Sequence, residues 1–174
     1  MRITFSICIK NSSITLKSME RGSLCRVLDW YNAGEGYRYA TGTDRGITQE
    51  SLEEKFDDIA VNEKEFFLGI YRSSDVRLVG IMIGSLSGSV VWIKLLTIAV
   101  EQRGRGLGSS SAGLLLRHMK EAGHATDCLL SVVDKNTGGR RFWTKNGFRE
   151  ISRLEKHKLF NGEEYGIIIM HKSI

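Results

Sequence analysis

The 174-residue sequence contains no proline, although average usage would give a chain of this length about nine. Sharp turns must therefore be made by glycine, asparagine, aspartate and serine, and glycine is indeed plentiful, with nineteen residues. Glycine-rich turns are the first places in which to look for special backbone geometry.

Cysteine and histidine are too few and too scattered for a disulfide framework or a metal centre. The three cysteines, Cys8, Cys25 and Cys128, are odd in number and widely spaced, with no C-x-x-C pair. Among the four histidines, the nearest two, His118 and His124, are six residues apart, which is not a metal-ligand spacing. We expect buried free thiols in a reducing compartment, and no metal.

No stretch of the sequence approaches the roughly 20 apolar residues that a membrane span requires. The opening segment Met1–Lys10 is apolar only at alternate positions, which indicates a strand and not the core of a signal peptide. We therefore expect a single domain over residues 1–174, located in the cytoplasm and without a membrane partner.

Positive charge exceeds negative charge, giving a formal net charge of +5, but the basic residues are dispersed. The densest group is the pair Arg140-Arg141, and no basic run is interleaved with aromatic residues in the way that single-stranded nucleic acid binding requires. We expect no nucleic-acid partner, whereas a phosphate-bearing small ligand stays compatible with the charge.

Hydrophobic periodicity predicts an α+β protein with a mixed sheet and helices on both of its sides. The predicted strands are Ile3–Ile9, Ile14–Met19, Phe66–Tyr71, Leu78–Ser85, Val90–Val100, Cys128–Val133, Phe148–Phe160 and Glu164–His171. The predicted helices are Ser23–Asn32, one capped by Thr48, Leu107–Ala122 and Thr137–Asn146. The run Val90–Val100 is the longest apolar one, which favours a central strand buried on both faces.

The segment that follows this strand, Arg103-Gly104-Arg105-Gly106-Leu107-Gly108, is a glycine-rich turn that opens a helix. A helix N-terminus presents unpaired N–H groups and a partial positive charge, and glycine lets the backbone approach a ligand closely. The segment therefore predicts a binding site for a phosphate or pyrophosphate.

Two common phosphate-binding motifs do not fit the turn. A Walker loop requires G-x-x-x-x-G-K-S/T, and the chain has no lysine at the required place. A dinucleotide fingerprint requires a third glycine where the chain has Ser109. A purely structural turn is the remaining alternative that the residues leave open.

The pattern Arg103-x-x-Gly106-x-Gly108 after an apolar strand resembles the Q/R-x-x-G-x-G/A motif of the GCN5-related N-acetyltransferase (GNAT) family. Asn136, Trp143 and Gly147-Phe148 are similarly spaced to that family's segment of an asparagine, a tyrosine and a Gly-Phe pair. The resemblance covers roughly residues 14–172. It implies a mixed, mostly antiparallel central sheet in a three-layer α/β/α arrangement, and acetyl-CoA as co-substrate.

The resemblance also implies a set of residues that bind the coenzyme. The amides of residues 103–109 would hold the pyrophosphate, and main-chain groups of the central strand and Asn136 would contact the pantetheine arm. These residues are Ile98, Val100, Arg103, Gly104, Arg105, Gly106, Leu107, Gly108, Ser109 and Asn136. For Asn136, a purely structural role as the N-cap of the following helix is as well supported as a contact with the coenzyme.

The function implied is direct transfer of an acetyl group from acetyl-CoA to a primary amine of a small molecule or a protein. The catalytic residues are not evident: Trp143 stands at the family's usual tyrosine position, and indole does not act as an acid in the relevant range. Glu35 and Asp44 are candidate carboxylates in the Gly34–Gly46 loop, and Cys128 is an unsupported candidate acetyl carrier.

We expect the same loop, through Glu35, Tyr37 and Tyr39, to select the acceptor. Because of Trp143 and the missing base, a non-catalytic acyl-CoA-binding sensor or interaction module is the alternative function. The sequence leaves a monomer and a homodimer open.

Overall fold

The computed structural model describes residues 6–34, 37, 39, 46–158 and 164–174, with residues 156–158 described by their backbone alone. The strands are β1 Cys8–Lys10, β2 Ile14–Ser18, β3 Glu65–Arg72, β4 Leu78–Ser87, β5 Val90–Ile98, β6 Asp127–Val133, β7 Arg149–Lys158 and β8 Glu164–Ser173. The helices are α1 Leu24–Asn32, α2 Gln49–Val61, α3 Leu107–Glu121 and α4 Thr137–Lys145.

The eight strands form one mixed sheet in the order β1-β2-β3-β4-β5-β6-β8-β7. The first five strands are antiparallel neighbours in chain order; short polar turns join β1 to β2 and β3 to β4 to β5, whereas α1 and α2 connect β2 to β3. The pair β5 and β6 is parallel, since α3 carries the chain back between them, and the remaining pairs are antiparallel.

Helices cover both faces of the sheet, and each face has its own buried apolar cluster. One cluster joins α3 and α4 to the sheet through residues such as Leu107, Leu115, Met119, Ile93 and Trp143. The other joins α1 and α2 to the opposite face through residues such as Val27, Trp30, Leu52, Phe67 and Leu95. The predicted α+β fold with helices on both sides of a mostly antiparallel sheet is confirmed.

The prediction for the central strand is corrected in two respects. The strand ends at Ile98 and not at Val100, because Val100–Gln102 form a turn of 3₁₀ helix. It is also not buried on both faces: Lys94 is exposed and is the extra residue of a β-bulge opposite β4, where the register steps from Leu95 to Ile93. Runs of buried residues on both faces occur instead in β3 and β4.

Local signals at the helix ends agree with the sequence. The Thr48 hydroxyl oxygen accepts a hydrogen bond from the Ser51 amide at 3.1 Å, as an N-cap does, and Gly123 follows α3 with a φ of 69°. The predicted first hairpin is present, although β1 is short. Residues 1–5, most of the Gly34–Gly46 loop and the predicted Asn161-Gly162 turn lie outside the described residues.

Candidate active site

The parallel strands β5 and β6 pair along only part of their length. Residue partners run from Val90 opposite Asp127 to Ile93 opposite Leu130 and end there, although both strands continue. The carboxyl-terminal half of β5, from Lys94 to Ile98, thus separates from β6. We call this separation the split; it exposes main-chain hydrogen-bonding groups in the middle of the sheet.

The direction of those groups follows from the hydrogen bonds to β4. The Ala99 amide donates to the Val79 carbonyl at 2.8 Å, and main-chain groups alternate in direction along a strand. The register pairs Ile98 with Gly80 and Leu96 with Met82, so Leu96 and Ile98 direct their amides and carbonyls away from β4, toward the split. Sequence reasoning identified Ile98 and missed Leu96, which the same alternation could have indicated.

The predicted glycine turn lies at the end of β5 and leads directly into α3. Gly104 and Gly106 both have a φ of 75°, a left-handed conformation that glycine adopts without a Cβ penalty. The first hydrogen bond into the helix runs from the Ser110 amide to the Gly106 carbonyl at 2.9 Å. The amides that precede Ser110 therefore lie at the open end of the helix, where an anion binds most favourably.

The glycines of the turn serve two different geometric needs. An added Cβ at Gly104 or Gly106 would meet no atom of the described residues within 4 Å, so these residues leave the space above the two glycines open. An added Cβ at Gly108 would instead lie 3.2 Å from Phe142 Cε2 and 3.6 Å from Ile98 Cγ1. The turn thus combines open space at Gly104 and Gly106 with a tight contact between α3, α4 and β5 at Gly108.

Val100, predicted to offer main-chain groups from the strand, lies beyond the end of β5 and is half exposed, at 50%. Its amide donates to the Tyr37 hydroxyl at 2.9 Å, and its carbonyl accepts from the Arg103 amide at 3.2 Å. Both main-chain groups of Val100 therefore have partners within the chain. Tyr37 is buried against this strand end, with 4% of its surface exposed, and not directed outward as an acceptor-selecting residue would be.

Asn136 is the N-cap of α4, where its side-chain oxygen accepts from the Gly139 amide at 2.8 Å. The cap also explains Gly139, since a Cβ there would lie 2.5 Å from Asn136 Nδ2. Of the two roles that the sequence allowed for Asn136, the helix cap is present, and a coenzyme contact through the rest of its amide stays a prediction.

Trp143, at the position of the expected tyrosine, is part of an aromatic cluster on α4. Its ring makes edge contacts with Phe142, at 4.8 Å between centroids, and with Phe148, at 5.0 Å. Only 8% of its surface is exposed. Trp143 therefore packs α4 against the sheet beside the glycine turn, which brings the two predicted motif segments together.

Of the four residues considered for acid–base or covalent chemistry, two lie within the described residues and two do not. Glu35 and Asp44 lie outside the described residues. Lys94 pairs with Glu65, with 2.7 Å between Nζ and Oε1. Cys128 is buried, whereas Cys8 and Cys25 are exposed, so the prediction of buried thiols is wrong for these two. Burial raises the pKa of the Cys128 thiol to about 12, so it is a poor nucleophile near neutral pH.

Comparison with known proteins gives a family and a fold. The family model described as "Acetyltransferase (GNAT) family" matches residues 27–148. No curated protein sequence matches significantly. Within the described residues, no helix is long and apolar enough to span a bilayer.

Several solved structures share the fold at low sequence identity. A spermidine N-acetyltransferase from Vibrio cholerae, in complex with CoA and spermine, is 19% identical, with a TM-score of 0.81 over 94% of this chain and 96% of that one. A Salmonella typhimurium acetyltransferase that modifies the N-terminal serine of a 50S ribosomal subunit protein is 12% identical, with a TM-score of 0.83 over 97% and 99%. A microcin C7 self-immunity acetyltransferase, in complex with acetyl-CoA and AMP, is 16% identical, with a TM-score of 0.81 over 94% of each chain.

Proposed function

Because the chain belongs to the acetyltransferase (GNAT) family, we propose that it transfers the acetyl group of acetyl-CoA directly to a primary amine of a small molecule or a protein. The observation that carries this proposal is the continuity of the site. The split in the sheet, with the inward-directed main-chain groups of Leu96 and Ile98, leads without interruption to the glycine turn at the start of α3.

This continuity matches the shape and chemistry of a coenzyme A molecule. The amides of residues 104–109, with the charges of Arg103 and Arg105, would hold the pyrophosphate, whereas the Arg103 amide is already bonded to the Val100 carbonyl. Leu96 and Ile98 would bond the amide groups of the pantetheine arm, which lies in the split like an added strand. Asn136 would contact the same arm, and Val100 would contribute by holding the strand end, since its own main-chain groups are engaged.

When bound, acetyl-CoA supplies an activated thioester carbonyl. A backbone N–H of β5, from Leu96 or Ile98, is directed into the split and would stabilise the negative charge that develops on the carbonyl oxygen. Holding the amine and thioester together in a groove that excludes water would supply much of the remaining rate. Transfer through Cys128 is disfavoured, because burial raises the pKa of that thiol to about 12.

The replacement of tyrosine by Trp143 leaves this mechanism workable. A thiol with a pKa of about 8.5 departs readily as the thiolate, so an acid is of secondary importance. An attacking lysine-like amine with a pKa of about 10.4 is neutral in only about one molecule in a thousand near pH 7.4, which costs roughly 4 kcal/mol. A general base that deprotonates the amine would therefore accelerate the reaction more than a general acid that protonates the departing thiolate.

Calorimetric titration of the protein with acetyl-CoA, followed by thiol release against a panel of amines, tests the proposal. The similar structures suggest two members of the panel, spermidine and a peptide with an N-terminal serine, and a peptide with an internal lysine is the third. We expect micromolar binding and thiol release with one amine class. Binding without thiol release for every amine would favour the non-catalytic acyl-CoA-binding module, and no binding would overturn both functions.

A further inference from the structure

Tyr37 joins the end of α1 to the end of β5. Its amide donates to the Gly34 carbonyl at 3.1 Å, and Gly34, with a φ of 83°, is the turn residue that follows α1. Its ring belongs to the buried cluster between the sheet and helices α1 and α2. From this buried position its hydroxyl oxygen reaches the Val100 amide.

Three chain segments meet there in a closed circuit of contacts around Arg103. The Val100 amide donates to Tyr37 Oη at 2.9 Å, and the Arg103 amide donates to the Val100 carbonyl at 3.2 Å. Arg103 Nε donates to the Ile98 carbonyl at 2.9 Å, and Arg103 Cζ lies 5.0 Å from the centroid of the Tyr37 ring. Both ends of Arg103, backbone and guanidinium, are thereby fixed relative to β5.

These contacts hold the permanent positive charge of the Arg103 guanidinium where an anionic ligand could bind it. The Ile98 carbonyl faces the split, so the guanidinium that contacts it lies at the mouth of the split, beside the glycine turn. Arginine has a long side chain with many rotamers, and fixing it before the ligand arrives removes an ordering cost from binding. The Ile98 carbonyl and the aromatic ring under the guanidinium hold the Arg103 side chain. The Tyr37 hydroxyl holds the Val100 amide, whose residue in turn bonds the Arg103 backbone.

We propose that Tyr37 is a positioning residue for the coenzyme, acting through Arg103, which it holds at the mouth of the split toward the pyrophosphate of acetyl-CoA. The proposal rests on the proposed function, because it names a second layer of residues for that same site. It also reassigns Tyr37, which the sequence placed among the residues that select the acceptor.

Replacement of Tyr37 by Phe removes the hydroxyl and leaves the Val100 amide without its acceptor. We expect the Kd for CoA, measured by calorimetry, to rise about 3- to 10-fold, the effect of one hydrogen bond. Tyr39→Phe is the matched control: Tyr39 is exposed and two residues away, and its variant should bind CoA within about twofold of the unmodified protein. The KM for the acceptor should not change in Tyr37→Phe.

Two further measurements separate positioning from a general structural role. Acetyl-pantetheine lacks the pyrophosphate, so its kcat/KM should be the same for Tyr37→Phe and for the unmodified protein. In a double-mutant cycle with Arg103→Gln, adding Tyr37→Phe should weaken CoA binding less than about 1.5-fold further, because the partner through which it acts is already gone.

Equal losses with CoA and acetyl-pantetheine, or additive losses in the cycle, would overturn the proposal while leaving the proposed function intact. If Tyr37→Phe does not fold, Arg103→Lys keeps the charge and loses the planar guanidinium, and it should weaken CoA binding by a similar factor; unchanged binding would overturn the proposal. Failure of the unmodified protein to bind CoA would instead overturn the proposed function, and this inference with it.

Discussion

The ring of Phe142 lies 3.2 Å from the position that a Cβ of Gly108 would occupy. Gly108 belongs to the first turn of α3 and Phe142 to α4, so this contact joins the two segments that carry the family motifs. Ile98, at the end of β5, lies on the other side of the same position, at 3.6 Å. Glycine at 108 therefore serves packing, whereas the glycines at 104 and 106 serve backbone conformation.

Replacement of Gly108 by Leu should lower the free energy of unfolding by about 1–3 kcal/mol, because the new side chain would force Phe142 and Ile98 apart. Gly113→Leu is the control in the same helix, where an added Cβ meets nothing within 4 Å. That variant should be as stable as the unmodified protein or up to about 1 kcal/mol more stable. Urea unfolding measures both, and equal effects would contradict the packing role of Gly108.

Gly106→Ala should weaken both folding and coenzyme binding, and Gly123→Ala should weaken folding alone. The two glycines have φ values of 75° and 69° at opposite ends of α3, each with open space at the Cβ position. The left-handed conformation should cost each alanine variant about 1–2 kcal/mol of stability. Since the Cβ at 106 would enter the anion cradle, we also expect on the order of a tenfold rise in the Kd for CoA with that variant only. A similar rise for Gly123→Ala would show that the loss comes from strain in the helix.

Trp143→Phe should retain kcat within about threefold, because neither side chain supplies a proton in the relevant pH range. The variant should also be less stable by about 1–3 kcal/mol, since Trp143 packs between Phe142 and Phe148. Steady-state kinetics and thermal unfolding test these expectations separately. A hundredfold loss of kcat in a folded variant would mean that the indole contacts the reacting thioester.

At pH 8 a thiol reagent such as DTNB should react quickly with the exposed Cys8 and Cys25 and not with Cys128. Burial raises the pKa of Cys128 to about 12, so only about one such thiol in ten thousand is ionised at that pH. The third thiol should react after unfolding in guanidinium chloride. Fast reaction of three thiols in the native protein would contradict the burial of Cys128.

Acid should weaken the turn between β3 and β4. The Arg72 guanidinium holds the pKa of Asp75 down to about 2, from an ordinary value near 3.8. A carboxyl with a depressed pKa stabilises the fold fully above its ordinary pKa, and that contribution is lost as the pH falls from about 4 to about 2. Asp75→Asn should remove this part of the pH dependence of urea unfolding. If the free energy of unfolding of Asp75→Asn falls with pH in the same way as that of the unmodified protein, the Arg72–Asp75 pair contributes nothing to stability.

The sequence predicted most of this fold because its signals are local. The Thr48 cap, the glycine turn before Leu107 and Gly123 after α3 depend on residues within one turn of each other, and the structure has them where expected. Alternation and apolar runs likewise located the strands to within a few residues. The resemblance then supplied the sheet arrangement, which local patterns do not specify.

The features that the sequence did not predict depend on register or on contacts between distant segments. The bulge at Lys94 and the early end of β5 arise from the pairing with β4, which no run of apolar residues reveals. The contact of Tyr37 with Val100 joins residues 63 positions apart, and a loop tyrosine looks the same whether it faces solvent or the core. Gly139 is explained only once the Asn136 amide lies over it.

The short pairing of β5 with β6 separates the strands of the sheet into two units, β1 to β5 and β6 to β8. Strands β1 to β5 come from the first 98 residues, in which α1 and α2 connect β2 to β3, and β6, β8 and β7 come from the last 48 residues, from Asp127 to Ile174. Only four residue pairs join them within the sheet. Amide hydrogens at this junction should therefore exchange by local opening faster than those inside either unit. A pantetheine arm hydrogen-bonded across the split would suppress this local opening. Coenzyme binding would therefore slow amide exchange at the junction by stabilising the contact between the two units.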